Sequence, residues 1–166
     1  MYNTPRKLEG GLRAKGLLNK KSKRDKPLIS VITVIFNGEK YLEQTIQSVI
    51  NQTYDNIEYI IIDGGSTDGT LDIIRKYEHK ITYWVSEKDE GISDALNKGI
   101  ELSSGEMIAI IHSGDYYASK NVVCNVVNEF NEYQNVKAMY GIVDSVDPKT
   151  GKLELRWGKD CSPNEI

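Results

Sequence analysis

Long apolar runs are missing from this 166-residue chain. No segment approaches the roughly 20 residues that a helix needs to cross a bilayer, and the N-terminus lacks the apolar stretch of a secretory signal. Cysteine is scarce. Cys124 and Cys161 lie far apart and form neither a metal-ligand spacing nor a redox pair, a count that fits a reducing cytoplasm. Cys124, inside NVVCNVVNEF, reads as a small core hydrophobe. There is no internal repeat and no low-complexity segment. The two best-known phosphate-cradling signatures are also absent. The glycines of GGSTDG fall at the wrong offsets for G-x-G-x-x-G, and no Walker P-loop occurs. These absences argue against an ordinary dinucleotide oxidoreductase and against a P-loop kinase.

What is present is an ordinary globular composition, 39% hydrophobic and 27% charged, with length for one real core. Charge is unevenly spread. Residues 1–26 hold nine Lys or Arg against two acids, a net +7; the whole chain is −3, so residues 27–166 carry −10. The first 26 residues therefore read as a basic, solvated and flexible extension, and Pro27 as the entry to the folded domain, which runs to residue 166. A partial stripe (Leu8, Leu12, Leu17, Leu18) allows a surface helix that meets anionic lipid. The expected location is the cytoplasm, with peripheral contact at the inner face of the membrane and no nucleic-acid partner.

From Pro27 the pattern alternates. LISVITVIF (28–36), IEYIIID (57–63), KITYWVS (80–86), EMIAII (106–111) and KAMYGIV (137–143) read as strands, the first two almost continuously apolar. Between them, Leu42, Ile46, Val49 and Ile50 fall at helical spacing. Ser66 is placed to cap a helix beginning near Thr67, with Leu71, Ile74 and Tyr77 inward. Ile92, Ala95, Leu96, Gly99 and Ile100 make a third stripe, and Val122, Val123, Val126, Val127 and Phe130 a fourth. DPKTGKLELRW reads as a turn and a short further strand. The fold class is α/β, with a mainly parallel central sheet flanked by helices on both faces.

In such a sheet, ligands bind beyond the carboxyl ends of the strands. There the sequence places Phe36-Asn37-Gly38, then Asp63-Gly64-Gly65-Ser66-Thr67-Asp68-Gly69, then Ser86 to Gly91, then His112-Ser113-Gly114-Asp115. The opposite connections, TYDN, EHK and SSGE, are plainer. Taken singly, each polar residue has a bland explanation. Asp63 with GGSTDG makes a turn and a cap, Asp68 a helix-start charge, Glu87 and Glu90 solvated loop charges, and His112 a hydrogen-bonded structural residue. Lys98 projects into solvent, Tyr83 and Trp84 serve the core, and Tyr116 and Tyr117 either stack on a sugar or cover a strand end. Four such loops on one edge make a site. Acidic loops repel phosphate unless a divalent cation stands between them.

The stretches ISVITVIFNGEKYLEQTIQSVINQTYDNIEYIIIDGGSTDGT and SEKDEGISDALNKGIELSSGEMIAIIHSGD resemble the donor-binding portion of family 2 glycosyltransferases. The likeness covers about residues 28 to 145. It implies the GT-A fold, a Rossmann-like nucleotide-diphospho-sugar transferase architecture. It also implies transfer of a sugar from a nucleotide-diphosphate donor, usually with inversion, with Mg²⁺ or Mn²⁺ as cofactor. The implied partners are the donor and a saccharide or lipid-linked acceptor, in cell-surface polysaccharide synthesis. By this resemblance Thr33, Phe36 and Asn37 surround the nucleoside base, and Asp63 lies in the loop that reads uracil and ribose. Asp89, Asp94, Asn97 and Lys98 line the sugar and phosphates. Asp115 matches the last acid of the D-x-D motif, as the metal residue, with Ser113 and Gly114 in place of its other members. The family commonly has two adjacent acids where this chain has Asp63-Gly64, so the resemblance leaves the base open. The family's general base comes from a later motif, expected beyond Ile166; Asp144 is the only nearby substitute. A donor-binding chain without transfer activity is the alternative reading.

Overall fold

The computed structural model describes residues 7–17, 20–133, 136–147 and 149–157. Residues 1–128 form one compact unit and residues 129–166 another. The first contains β1 (Leu8–Gly10), β2 (Ile29–Ile35), α1 (Leu42–Ile50), β3 (Ile57–Asp63), α2 (Thr70–Lys76), β4 (Tyr83–Ser86), α3 (Ile92–Leu102) and β5 (Met107–Ile110), and the start of α4 (Val122–Glu132). Its sheet has the order β1-β4-β3-β2-β5. The four strands β2 to β5 are parallel, and β1 is antiparallel to β4.

Strand periodicity decides which helix covers which face. All seven residues of β2 and of β3 are buried. Ile29, Val31, Ile35, Ile57, Tyr59 and Ile61 face the cluster that contains Leu42, Ile46 and Val49 of α1, Ile74 of α2, and Val123 and Val127 of α4. Ile32, Val34, Ile60 and Ile62 face the other way, against Ala95 and Leu96 of α3. Helix α3 lies over β2 and β3 and approaches closely through Gly99, where a Cβ would stand 2.6 Å from Ile32 Cγ2. Strand β5 lies beyond β2 at the edge of the sheet. That strand was expected to be buried, but as an edge strand it exposes Ile108 (46%) and Ile110 (48%) and half-buries Met107 and Ala109. For the same reason Ile92 and Ile100 of the α3 stripe stay exposed.

The described residues of the basic segment before Pro27 depart from the expected solvated extension, and the surface helix that the leucine stripe allows is not formed among them. Leu8, Glu9 and Gly10 pair with Ser86, Val85 and Trp84 as an edge strand, and Gly10 is needed because a Cβ there would lie 2.7 Å from the Trp84 indole nitrogen. The charges explain the docking. Arg13 reaches the buried Glu58, donates to Leu102 O (2.7 Å) and stacks on the Tyr83 ring. Lys15 pairs with Glu78 at 3.0 Å, Lys20 donates to Asp55 O and Ile57 O, and Lys26 pairs with Asp55. A net −10 domain thus binds part of its own +7 leader. Leu18 lies outside the described residues.

In the second unit, β6 (Val143–Val146) and β7 (Leu153–Trp157) form an antiparallel hairpin. Its turn is tied by the Asp147 carboxylate, which accepts the Lys149 and Thr150 N–H groups at 2.7 Å each, as DPKTGK foretold. The strand expected over 137–143 begins only at Val143. Gly141 weakens the run before it, and the residues after it find an antiparallel partner close in sequence. Cys124 is half-buried against the core; Cys161 lies outside the described residues. No helix among the described residues is long and apolar enough to cross a membrane.

Candidate active site

The chain leaves β2 through Phe36, 64% exposed, and turns at Asn37, whose φ of 49° is left-handed, a conformation asparagine tolerates. This turn is clasped to the loop after β3. Asn37 N–H donates to Ser66 Oγ (2.7 Å) and its Oδ1 accepts Thr67 N–H (2.9 Å). Gly38 N–H donates to Thr70 Oγ1 (3.0 Å), Glu39 N–H to Asp68 Oδ2 (3.1 Å), and Gly69 N–H to Glu39 Oε2 (2.6 Å). Ser66 is therefore occupied between the two loops and does not cap α2, which begins at Thr70. Asp68, just before the helix, ties down its first residue: its Oδ1 accepts the Thr70 N–H at 3.0 Å and the Thr70 hydroxyl. The Thr70 hydroxyl, followed by the Glu39 and Thr70 N–H groups, holds the Asp68 carboxyl below its usual range.

Asp63 ends β3 and is fully buried. Its carboxylate accepts Ser66 N–H (3.0 Å), the Ser66 hydroxyl and the Ser86 hydroxyl (2.6 Å). Gly64 leaves the space above it to Asp89, whose Oδ2 would lie 2.7 Å from a Cβ at residue 64. The loop after β4 is held by Asp89 Oδ1, which accepts Gly91 N–H (3.0 Å), and by Asp94 Oδ2, which accepts Glu90 N–H (3.2 Å). Lys98 reaches back from α3 to Glu87 at 2.7 Å. After β5, Ile111 N–H still bonds Ile32 O, and the turn His112-Ser113-Gly114-Asp115 closes with Asp115 N–H on His112 O at 3.0 Å.

These four loops border one cleft of ≈ 720 Å³, a usual volume for a small-molecule site. Phe36, Asn37, Asp89 and Ser113 of the expected residues line it, as do Gly38, Gly64, Lys88, Ile92 and His112. The others stand elsewhere. Thr33 is fully buried on the α1 face, its hydroxyl 3.1 Å from Tyr59 OH, because it shares strand parity with Val31 and Ile35. The Asp63 carboxylate is turned to the two serines, Asp94 serves the start of α3, Lys98 is paired, and Asn97 is exposed on α3. Gly114 (φ 102°) and Asp115 are exposed just past Ser113 and outside the cleft wall. Lys88 and His112 had only their position on the carboxyl edge to mark them. The clasp between Glu39 and Gly69 has no local signal at all.

Among the described residues no group of three or more His, Cys, Asp or Glu gathers as a metal site. Of the expected site residues, Asp115 fits a hard cation: its carboxylate is exposed and makes no hydrogen bond or ion pair with a described residue. Mg²⁺ and Mn²⁺ keep waters and phosphate oxygens and need few protein ligands. Asp144 is not a free base. It pairs with Arg156 Nε (2.6 Å) and Nη2 (2.7 Å), which lowers its pKa.

The family model for glycosyl transferase family 2 matches residues 30–159. The chain is similar to an uncharacterized glycosyltransferase of Mycobacterium tuberculosis, 38% identical over 116 residues, covering 69% of this chain and 44% of the relative. It is also similar to the putative teichuronic acid biosynthesis glycosyltransferase TuaG of Bacillus subtilis, 41% identical over 93 residues, covering 54% and 37%. Among solved structures, S. aureus TarS 1-349 in complex with UDP-GlcNAc superposes with a TM-score of 0.59 at 26% identity, over 64% of this chain and 32% of that one. The chain thus spans less than half the length of these relatives. Because the family match runs from the first core strand to the last hairpin strand, the chain belongs to glycosyl transferase family 2, with the GT-A fold.

Proposed function

We propose that the chain takes a sugar from a nucleotide-diphosphate donor, UDP-linked, and passes it to an acceptor hydroxyl with inversion, in the synthesis of a cell-surface polysaccharide. The observation that carries this is the convergence of all four carboxyl-edge loops on one cleft of ≈ 720 Å³. Phe36 offers an exposed ring for the base, and Asn37 is held in place by the Ser66 clasp. Asp89 is placed to accept hydrogen bonds from ribose or sugar hydroxyls, and Lys88 to meet the diphosphate. Asp115 would hold Mg²⁺ or Mn²⁺, which when bound neutralises charge developing on the leaving diphosphate. The UDP-GlcNAc carried by TarS and the teichuronic acid assignment of TuaG support this donor class and this kind of product.

Calorimetric titration of UDP with and without Mn²⁺ tests the proposal. Metal-linked UDP binding is expected in the wild type and is lost in Asp115→Ala. A wild-type chain whose UDP binding does not respond to Mn²⁺ overturns it. A second reading, donor binding without transfer, is favoured by the pairing of Asp144 with Arg156. Sugar transfer or donor hydrolysis by the chain, abolished in Asp115→Ala, eliminates that second reading.

A further inference from the structure

Beyond Ile111 the chain has left the sheet, and the turn that carries Asp115 makes one backbone hydrogen bond within itself, Asp115 N–H to His112 O. Packing does not impose its shape. Gly114 is exposed at φ 102°, and a Cβ built there would meet nothing within 4 Å. The restraint comes from α1. Thr45, Ser48 and Gln52 stand at i, i+3 and i+7, along one face of the helix and its exit, and their polar atoms bond backbone groups between Gly114 and Val123. Thr45 Oγ1 accepts Gly114 N–H (3.1 Å) and donates to Asp115 O (2.8 Å). Ser48 Oγ accepts Tyr117 N–H at 3.2 Å. Gln52 Nε2 donates to Ser119 O (2.8 Å), and its Oε1 accepts Val123 N–H (3.0 Å).

Thr45 is the member that touches Asp115 itself. It is fully buried beside Ile46 and Val49, where an apolar residue with better helix propensity would cost less. Its hydroxyl acts as donor and as acceptor on two consecutive residues. We infer that Thr45 is a positioning residue for the metal-binding carboxylate: by holding Gly114 N–H and Asp115 O together, it sets the direction in which Asp115 leaves the backbone. The inference rests on the reading of Asp115 as the metal residue.

Thr45→Val keeps the shape and removes both hydrogen bonds, and Thr45→Ser keeps the hydroxyl. Thr45→Ala serves as a second variant should the valine fold poorly. Hydrogen exchange by mass spectrometry on the full chain reads the turn directly, without nucleotide. Exchange over residues 112–117 should rise about tenfold in Thr45→Val, by the loss of a net hydrogen bond, and stay at the wild-type rate in Thr45→Ser. In calorimetry, the Mn²⁺-dependent gain in UDP affinity should fall about tenfold in Thr45→Val and return in Thr45→Ser, with metal-free UDP binding unchanged. A general packing defect would instead weaken UDP binding equally with and without Mn²⁺, and would overturn the inference. So would wild-type exchange over 112–117, or a wild-type response to Mn²⁺, in Thr45→Val. If Asp115→Asn abolishes the Mn²⁺ response and Thr45→Val does not, only the role of Thr45 falls. If Asp115→Asn keeps the response, the metal reading of Asp115 falls and takes this role with it.

Discussion

Replacing Asp63 should damage both the fold and the cleft. Its buried carboxylate accepts three hydrogen bonds, from Ser66 N–H, the Ser66 hydroxyl and the Ser86 hydroxyl. A hydrogen bond to a charged group contributes about 1.5–3 kcal/mol net, and bonds that share one acceptor do not add. In Asp63→Ala the two hydroxyls can rotate toward other acceptors, but the Ser66 N–H cannot. The expected loss is therefore about 3–5 kcal/mol, a large part of the ~5–15 kcal/mol that holds a domain together. Asp63→Asn keeps the volume and one of the two acceptor oxygens and should lose about half as much. Urea unfolding followed by fluorescence of the buried Trp84 measures both. The perturbation should also reach the ligand, since Ser66 is the group that accepts Asn37 N–H at 2.7 Å. UDP affinity measured on the folded fraction should fall in Asp63→Ala. If Asp63→Ala lies within about 0.5 kcal/mol of wild type, the value of an ordinary surface change, the reasoning is refuted, and Asp63 faces the cleft as the family resemblance implies.

Gly64→Ala should leave stability within about 1 kcal/mol, because the nearest atoms to the added Cβ belong to the Asp89 carboxylate, a side-chain end, at 2.7 Å; the same displacement should lower UDP affinity several-fold in calorimetry, the effect of one misplaced hydrogen bond. Gly99→Ala should destabilise by about 1–2 kcal/mol in urea, since overpacking against Ile32 in the core exceeds the helix-propensity gain of roughly 1 kcal/mol. Burial works to raise the Glu58 pKa, but the Ser104 and Ser30 hydroxyls, the Ser104 N–H and the Arg13 charge together outweigh it and hold the carboxyl below its usual range. The native state then binds fewer protons than the unfolded one, so this contribution is present at neutral pH and is lost as pH falls through the folded pKa. The urea midpoint should drop on acidification, and drop less in Glu58→Gln.

Much of the architecture was legible in one pass along the chain. The strand-helix alternation and the strings of Val and Ile imply a mainly parallel sheet with helices on its faces, and the sheet rule points to the carboxyl edge as the place for a site. Four of the expected residues line the cleft. Thr33 does not, although strand parity already grouped it with Val31 and Ile35 on the core face. Ser66 had the right chemistry for a cap and the right position, yet a residue 29 positions away claimed its oxygen. The run before Val143 had strand composition without a strand partner, since β-propensity measures fit to a neighbouring surface.

Composition and periodicity by themselves settled the α/β class, the order of the core elements and the edge on which a site could form, because burial and hydrogen bonding act along each segment at fixed periods. Only the tertiary structure decided what each polar side chain holds. Glu58 against Arg13, Asp63 against Ser86, Asp89 over Gly64 and Thr45 under Asp115 join residues 23 to 70 positions apart. Whether a carboxylate ends as a buried acceptor or as an open ligand depends on which donors the folded chain brings within 3 Å, and no local pattern records that.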